Sequence, residues 1–308
     1  MSGRIIEISN DGYHLLAQRG FMLIEKEHQV VSKVPLDDIA AIIGCAHGLS
    51  YTNNLLVELA KRNAVFVLCG PNFLPMAFLW SLEGNYTQSA RMEAQLCATQ
   101  PKSKQLWKLI VQAKIRQQAA ALTAFGIKAA AVSYLAQDVK SGDPSNMEAQ
   151  AARRYWPLLF GPDFRRDRDA TGVNAMLNYG YTILRSATAR SVMGAGLHPS
   201  LGLHHSNKLN AMRLVDDLME PYRPFIDCAV KHLSDKGNEN LTPETKATLA
   251  GLLDSEVATK AGMTAMRTVL QATATSLALI YEEKKRINEL ELPLPQPPLW
   301  QGASHGSG

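Results

Sequence analysis

The hydrophobic pattern of the chain changes character once, around Ala98-Thr-Gln-Pro-Lys-Ser-Lys104, and that switch limits the architecture to a β part followed by a helical part. Upstream, apolar residues fall in short runs. Arg4-Ile-Ile-Glu-Ile8 alternates with polar residues, and 13–25 reads as two strands turning at Arg19-Gly20. Further strands fit 30–34, 39–43 and 65–69, each between turn-forming residues. Thr52 is placed to cap a helical stretch reaching Arg62. Downstream the spacing is helical over 105–125, 128–139, 147–156, 174–193, 209–220, 224–233, 243–253 and 259–288, with Pro157 and Pro221 expected to limit two of these. The fold class is therefore α+β, a β-rich N-terminal domain (1–98) followed by a larger all-α domain (99–290). Residues 291–308 contain Pro293-Leu-Pro-Gln-Pro-Pro298 and close on a Gly/Ser-rich run, which predicts a flexible tail.

At 308 residues the chain can bury a sizeable core. Its longest apolar runs are interrupted well short of the about 20 residues a membrane helix needs, and the N-terminus lacks a basic then apolar signal-peptide pattern. No membrane association is expected. Four cysteines, Cys45, Cys69, Cys97 and Cys228, are scattered with no CxxC pair, which argues against a zinc ribbon or disulfide framework and for a cytoplasmic protein. The net charge of +4 is uneven: residues 101–170 hold 12 Lys/Arg against 6 Asp/Glu, and the rest of the chain carries no positive excess. A polyanion-facing surface in that middle segment fits, as does a set of solvated helix faces.

The densest chemistry lies in Gly202–Arg223. His204 and His205 precede a helical segment that carries Asp216, Asp217 and Glu220. Residues three and four apart share a helix face, so Glu220 is expected over both aspartates. Crowded carboxylates need a cation, a proton or an Arg/Lys between them. Apolar Leu214, Val215, Leu218 and Met219 surround them. Glu148 opens an Ala-rich helix, where Ser145-x-x-Glu148 also reads as a capping box. Tyr155 and Trp156 fall at core-facing spacing, although either could stack on a base.

Four motifs in order resemble the CRISPR adaptation integrases, the first of the Cas proteins: 147–157 (Met-Glu-Ala-Gln-Ala-Ala-Arg-Arg-Tyr-Trp-Pro), Asn178-Tyr-Gly-Tyr181, Gly202-Leu-His-His205 and Asp217-Leu-Met-Glu-Pro-Tyr-Arg-Pro224. The resemblance spans nearly the whole chain, and its wording is closest to the variant that accompanies type II, single-effector systems. It implies a metal-dependent DNA integrase and endonuclease that inserts spacers by 3′-hydroxyl attack on a phosphodiester at the repeat edge. It also implies a homodimer, with two dimers flanking a dimer of the second Cas protein in a heterohexamer, and contact with the type II effector nuclease. Dimerisation and partner contact then fall to the β-rich domain. Carried over by position, Glu148, His205 and Glu220 become catalytic metal ligands, with Asp217 in support and His204 outside the site. Two carboxylates and one imidazole suit Mg²⁺ or Mn²⁺. Lys102 and Lys104, within the lysines of 102–114, and Arg153, Arg154, Arg165, Arg166 and Arg168 become phosphate contacts. Two other readings of the residues stand beside this one: a non-catalytic helical DNA-binding or assembly protein with a structural acidic cluster, and a metal hydrolase of small phosphate esters.

Overall fold

The computed structural model describes residues 4–62, 64–70, 75–79, 81 and 88–296. The chain opens with strands β1 (Arg4–Ile8), β2 (Tyr13–Gln18), β3 (Phe21–Lys26), β4 (Gln29–Pro35), β5 (Ile39–Gly44) and β6 (Ser50–Tyr51). Helix α1 (Asn53–Lys61), strands β7 (Val65–Cys69) and β8 (Pro75–Leu79) and helix α2 (Gln88–Leu96) follow. The expected strands and the 19–20 turn are all present. Arg19 (φ 49°) and Gly20 (φ 80°) both take the left-handed conformation that a two-residue hairpin requires. Thr52 Oγ1 accepts from the Leu55 amide at 3.3 Å and starts α1. Two four-stranded sheets result, in the orders β1-β5-β7-β8 and β4-β3-β2-β6. In the first, β1, β5 and β7 run parallel and β8 antiparallel. Leu15, Met22, Ile24 and Val34 from one sheet, Ile42 and Phe66 from the other, and Leu55 and Leu59 of α1 share one core. Burying apolar side chains from both sheets against one helix holds the domain together.

The helical part comprises α3 (Gln100–Ala124), α4 (Ala130–Ser133), α5 (Leu135–Asp138), α6 (Met147–Phe160), α7 (Val173–Gly194) and α8 (Arg213–Met219). A 3₁₀ turn at Glu220–Tyr222 leads to α9 (Arg223–Asp235) and α10 (Pro243–Gly251). Strands β9 (Glu256–Thr259) and β10 (Gly262–Ala265) then precede α11 (Met266–Tyr281). The central α7 buries 16 residues along nearly its whole circumference, as a helix enclosed by others must. Gly180 lets it approach α9: a Cβ there would lie 2.4 Å from Ile226 Cγ2.

Several expectations need correction. The helix expected from residue 259 begins at Met266 instead, because an antiparallel β9–β10 hairpin precedes it, so this region is helical around one small ribbon. Gly262 (φ 114°) and the bond from Thr259 Oγ1 to the Gly262 carbonyl close that hairpin. The stretch 128–139 splits into two single turns. Helix α6 runs past Pro157 to Phe160, because Leu159 is buried and Phe160 stacks on Trp156; packing outweighs the lost amide. Leu209 stands exposed, and its helix begins only at Arg213. Residues 291–296, expected to open a flexible tail, are tied down. Glu291 N donates to Ser276 Oγ, Leu294 N to the Ala258 carbonyl, and Gln117 Nε2 to the Gln296 carbonyl at 2.8 Å. The remainder of the expected tail, 297–308, lies outside the described residues.

The halves share apolar core, with Ala41, Val65 and Val67 packed among the helices, and polar contacts add to it. Glu7 of β1 takes Lys246 of α10 at 2.9 Å and also accepts from the Tyr179 hydroxyl of α7. Helix α2, inside the first 98 residues, reaches the loop before the histidines. Gln95 Nε2 donates to the carbonyls of His198 and Leu201, and Gln95 Oε1 accepts from the His198 amide. No described helix is long and apolar enough to cross a membrane.

Candidate active site

The three carboxylates of 216–220 do not crowd one another, because each finds a different partner. Asp216 takes a two-point bond from Arg185 of α7, with Nε 2.6 Å from Oδ1 and Nη2 2.9 Å from Oδ2, and accepts from Asn210 Nδ2 at 2.7 Å. Asp217 is fully buried and turns to the histidine loop. It accepts the amides of Leu203 (2.6 Å), His204 (3.1 Å) and His205 (3.3 Å). Three amide donors satisfy a buried carboxylate that would otherwise be costly. Its Oδ1 also meets Nδ1 of His205 at 2.5 Å. This fixes the ring and leaves Nε2 as its outward nitrogen. The hydrogen bond with Asp217 raises the His205 pKa above its ordinary value against the effect of burial. Gly202 makes this closeness possible, since a Cβ there would sit 2.8 Å from Arg213 Cβ and 2.9 Å from Asp217 Oδ2. His204 stacks its ring flat on Trp107 at 4.4 Å, and the same indole meets His205 edge-on at 5.9 Å.

Glu220, in the 3₁₀ turn that Pro221 imposes, is 3% exposed and points to α3. There Lys114 Nζ lies 2.6 Å from Glu220 Oε2 and 2.6 Å from Glu148 Oε1, so one buried ammonium bridges two of the three proposed ligands. Arg223 Nε stands 3.1 Å from the other oxygen, Glu220 Oε1. Burial would raise the Glu220 pKa, but the charges of Arg223 and Lys114 outweigh it and hold the carboxyl below its ordinary value. Burial likewise opposes the charge on Lys114, and Glu220 and Glu148 more than restore it.

Glu148 is free to make this contact because it does not cap its own helix. Asp143 (φ 48°) accepts the amides of Met147 and Glu148, and Asn146 (φ 51°) accepts that of Ala149. The capping-box alternative for Ser145-x-x-Glu148 is therefore replaced by an Asp143–Asn146 cap. Neither Asp143 nor Lys114 stands out in the sequence motifs. Lys114 falls among the lysines of 102–114 expected to contact phosphate, yet it lies on the buried stripe of α3 with Trp107, Ile110, Val111 and Ile115. A cation at a core position of an apolar periodicity is the signal that marks it.

Glu148 and Glu220 are thus brought together, and His205 is close enough to Glu220 for their charges to interact. Among the described residues, no three His, Cys, Asp or Glu side chains stand near enough to hold a metal ion. The donor chemistry nonetheless fits a hard divalent cation: two carboxylates already share a positive charge, and Glu220 Oε2 is buried without a hydrogen bond of good geometry.

The basic candidates divide. Arg153, Arg154, Arg165, Arg168 and Lys104 are exposed. Arg154 donates to the Ala131 carbonyl, and Arg165 to those of Pro162 and Phe164. Lys102 pairs with Glu283 at 3.4 Å. Arg166 is turned inward to Asn174 and Asn178. Asn178 Nδ2 also donates to the Arg168 carbonyl, so the Asn178 motif laces the arginine loop to α7. Tyr155 is buried, and Trp156 packs with Phe160 and Phe164, both in the core arrangement.

Every group of the candidate site comes from the helical region, and the sheets contribute none. This defines an α+β protein whose acidic site is assembled across helices beside a basic loop. The family model for the CRISPR associated protein Cas1 matches residues 6–262, and the chain belongs to that family. It is 39% identical over 261 residues to the CRISPR-associated endonuclease Cas1 of Neisseria meningitidis serogroup C, covering 83% of this chain and 85% of that protein. Its fold is similar to that of a casposase bound to integration product, with a TM-score of 0.77 at 21% identity over 92% of each chain. A chain of a Cas6-RT-Cas1–Cas2 complex gives a TM-score of 0.76 at 17% identity, covering 94% of this chain and 36% of that one.

Proposed function

We propose that the protein is a metal-dependent DNA integrase and endonuclease that inserts DNA fragments into a CRISPR array by 3′-hydroxyl attack on a phosphodiester at the repeat edge. The observation that carries this reading is the meeting of Glu148 and Glu220, from separate elements, at one buried positive charge beside a fixed imidazole. The names of its relatives support it: one is a CRISPR-associated endonuclease, another a casposase seen with an integration product.

Glu148, Glu220 and Nε2 of His205 would hold Mg²⁺ or Mn²⁺, with oxygen ligands dominant. The bound cation supplies Lewis-acid stabilisation of charge developing on the phosphoryl oxygens. The chain's own residues prepare the site. Asp217 orients His205 and fixes its tautomer. Arg223 keeps Glu220 ionised. Arg153, Arg154, Arg165, Arg168 and Lys104 offer exposed cations to the phosphates of DNA, where they position the duplex without reading sequence. Assembly as a homodimer with the second Cas protein, cooperation with a type II effector nuclease and residence in the cytoplasm complete the reading.

The Lys114 bridge favours a second reading, because it neutralises the glutamates without any metal. The cluster would then be structural, in a protein that binds DNA and cleaves nothing. Strand transfer of a labelled oligonucleotide into repeat DNA with Mn²⁺ separates the two. Glu148→Ala, His205→Ala and Glu220→Ala are expected to abolish transfer while melting cooperatively. Wild-type protein that binds DNA but neither transfers strands nor gains thermal stability from Mn²⁺ after chelation would leave the second reading standing.

A further inference from the structure

Lys114 belongs to none of the four motifs and is not among the proposed ligands, yet it occupies the position between the two glutamates. Its side chain is 11% exposed, and its ammonium makes two contacts of 2.6 Å to carboxylates of different elements. Buried lysines are rare and are retained when paired. On a surface helix this residue would fit any phosphate backbone. In the apolar stripe of α3 it meets two of the elements packed there, α6 and the 3₁₀ turn at Glu220.

Glu148 and Glu220 face Lys114 and Arg223 in the cation-free protein. Asp216 is matched by Arg185, and Asp217 is turned away to three amides and His205. The Lys114 ammonium stands 2.6 Å from one oxygen of each glutamate. A divalent cation ligated by those same two oxygens would have to occupy nearly the same place. Like charges that close in a buried site repel strongly, so cation and ammonium exclude each other.

We infer that Lys114 is a tethered counter-ion. It holds Glu148 and Glu220 together in the cation-free protein and yields its place when the divalent cation binds, which sets the affinity of the site. Lys114 is thus a positioning residue acting through the two glutamates, and this role rests on the metal-site reading above. It accounts for the fact that the ligands are assembled around an ammonium rather than spread apart by their own repulsion.

The test uses the full chain with Lys114→Met, which preserves length and removes the charge, and Lys114→Arg, which keeps the charge in a planar fork. In chelator, Lys114→Met is expected to melt several degrees below wild type, because the buried Glu220 and the half-buried Glu148 lose their shared partner. Its Mn²⁺ Kd, read by titration calorimetry, is expected to tighten roughly tenfold, since the cation no longer displaces a tethered competitor. Lys114→Arg is expected to melt near wild type and to bind Mn²⁺ more weakly. A merely structural lysine would lower the melting temperature with unchanged or weakened Mn²⁺ binding, and that pattern would overturn the inference. If Lys114→Met does not fold, Lys114→Gln serves in its place, and the Mn²⁺ affinity of Lys114→Arg decides alone. Unchanged melting of Lys114→Met in chelator would also overturn the inference, whatever the wild-type strand-transfer assay shows. Loss of the integrase reading is seen separately, as wild-type protein that binds Mn²⁺ and transfers no strands.

Discussion

Two buried acids sit within two helical turns of each other and are held in opposite ways. Glu220 (3% exposed) is gripped by the cations Lys114 and Arg223 and stays ionised, its pKa held below the ordinary value. Asp227 of α9 (2% exposed) receives the hydroxyls of Tyr155 and Tyr181, both neutral donors. Burial pushes its pKa up to about 7, although the two phenols and Arg223 pull the other way. Equal burial therefore does not decide protonation; the partner does. The Asp227 cluster joins α6, α7 and α9 by bonds that need no exchange, which suits a lock. The Glu220 cluster is held by the charges of Lys114 and Arg223, which suits a cation site.

The sharpest way to break this comparison is to remove one acid from each cluster. Glu220→Ala or Glu148→Ala is expected to lower Mn²⁺-dependent strand transfer by about 10³-fold or more while the protein still folds, and Asp227→Asn is expected to leave transfer per folded molecule near wild type. Next in size is Asp217→Asn, which leaves the ligand set intact and loosens His205. A loss of about 10–100-fold in activity or cation affinity is expected, the range for an orienting partner of a ligand. Because Asp217 raises the His205 pKa, and only neutral imidazole ligates, the acid limb of the pH–rate profile should move to lower pH in this variant.

The third prediction concerns stability. Asp227 has a folded pKa of about 7 against an ordinary 3.8, so its contribution is fully present below pH 3.8 and is lost as pH rises towards and through 7. Urea midpoints of the wild type should fall over that interval through this group, and Asp227→Asn should flatten the fall. The smallest effect is expected of Tyr155→Phe, about 1 kcal/mol in urea titration, from one lost hydrogen bond. Its strand transfer should be unchanged.

Much of this was legible in the residues because local rules and tertiary packing agreed. The early strands, the 19–20 turn, the Thr52 cap and the long α7 follow from alternation, glycine and periodicity. What was hidden depended on contacts between distant segments. Glu148 could not be told from a capping glutamate until Asp143 was seen to take its amide. The crowding expected of Asp216, Asp217 and Glu220 dissolved because the helix ends at Met219 and each acid meets a different element. The β9–β10 hairpin is hidden because its residues are apolar enough to fit a helix. The Gly202-x-x-His205 spacing has a steric side too: its glycine is required by the closeness of Asp217 and Arg213.

The strap at 291–296 has a reach that its position conceals. Gln117, one turn beyond Lys114 on α3, holds Gln296 through both side-chain atoms, and Ser276 and Thr273 hold Glu291. The helix that carries the bridging ammonium is thus pinned, one turn away on its buried face, by the last described residues of the chain. Cutting the chain before Glu291 would remove both bonds of Gln117 to Gln296, and with them the bonds that Ser276 and Thr273 make to Glu291.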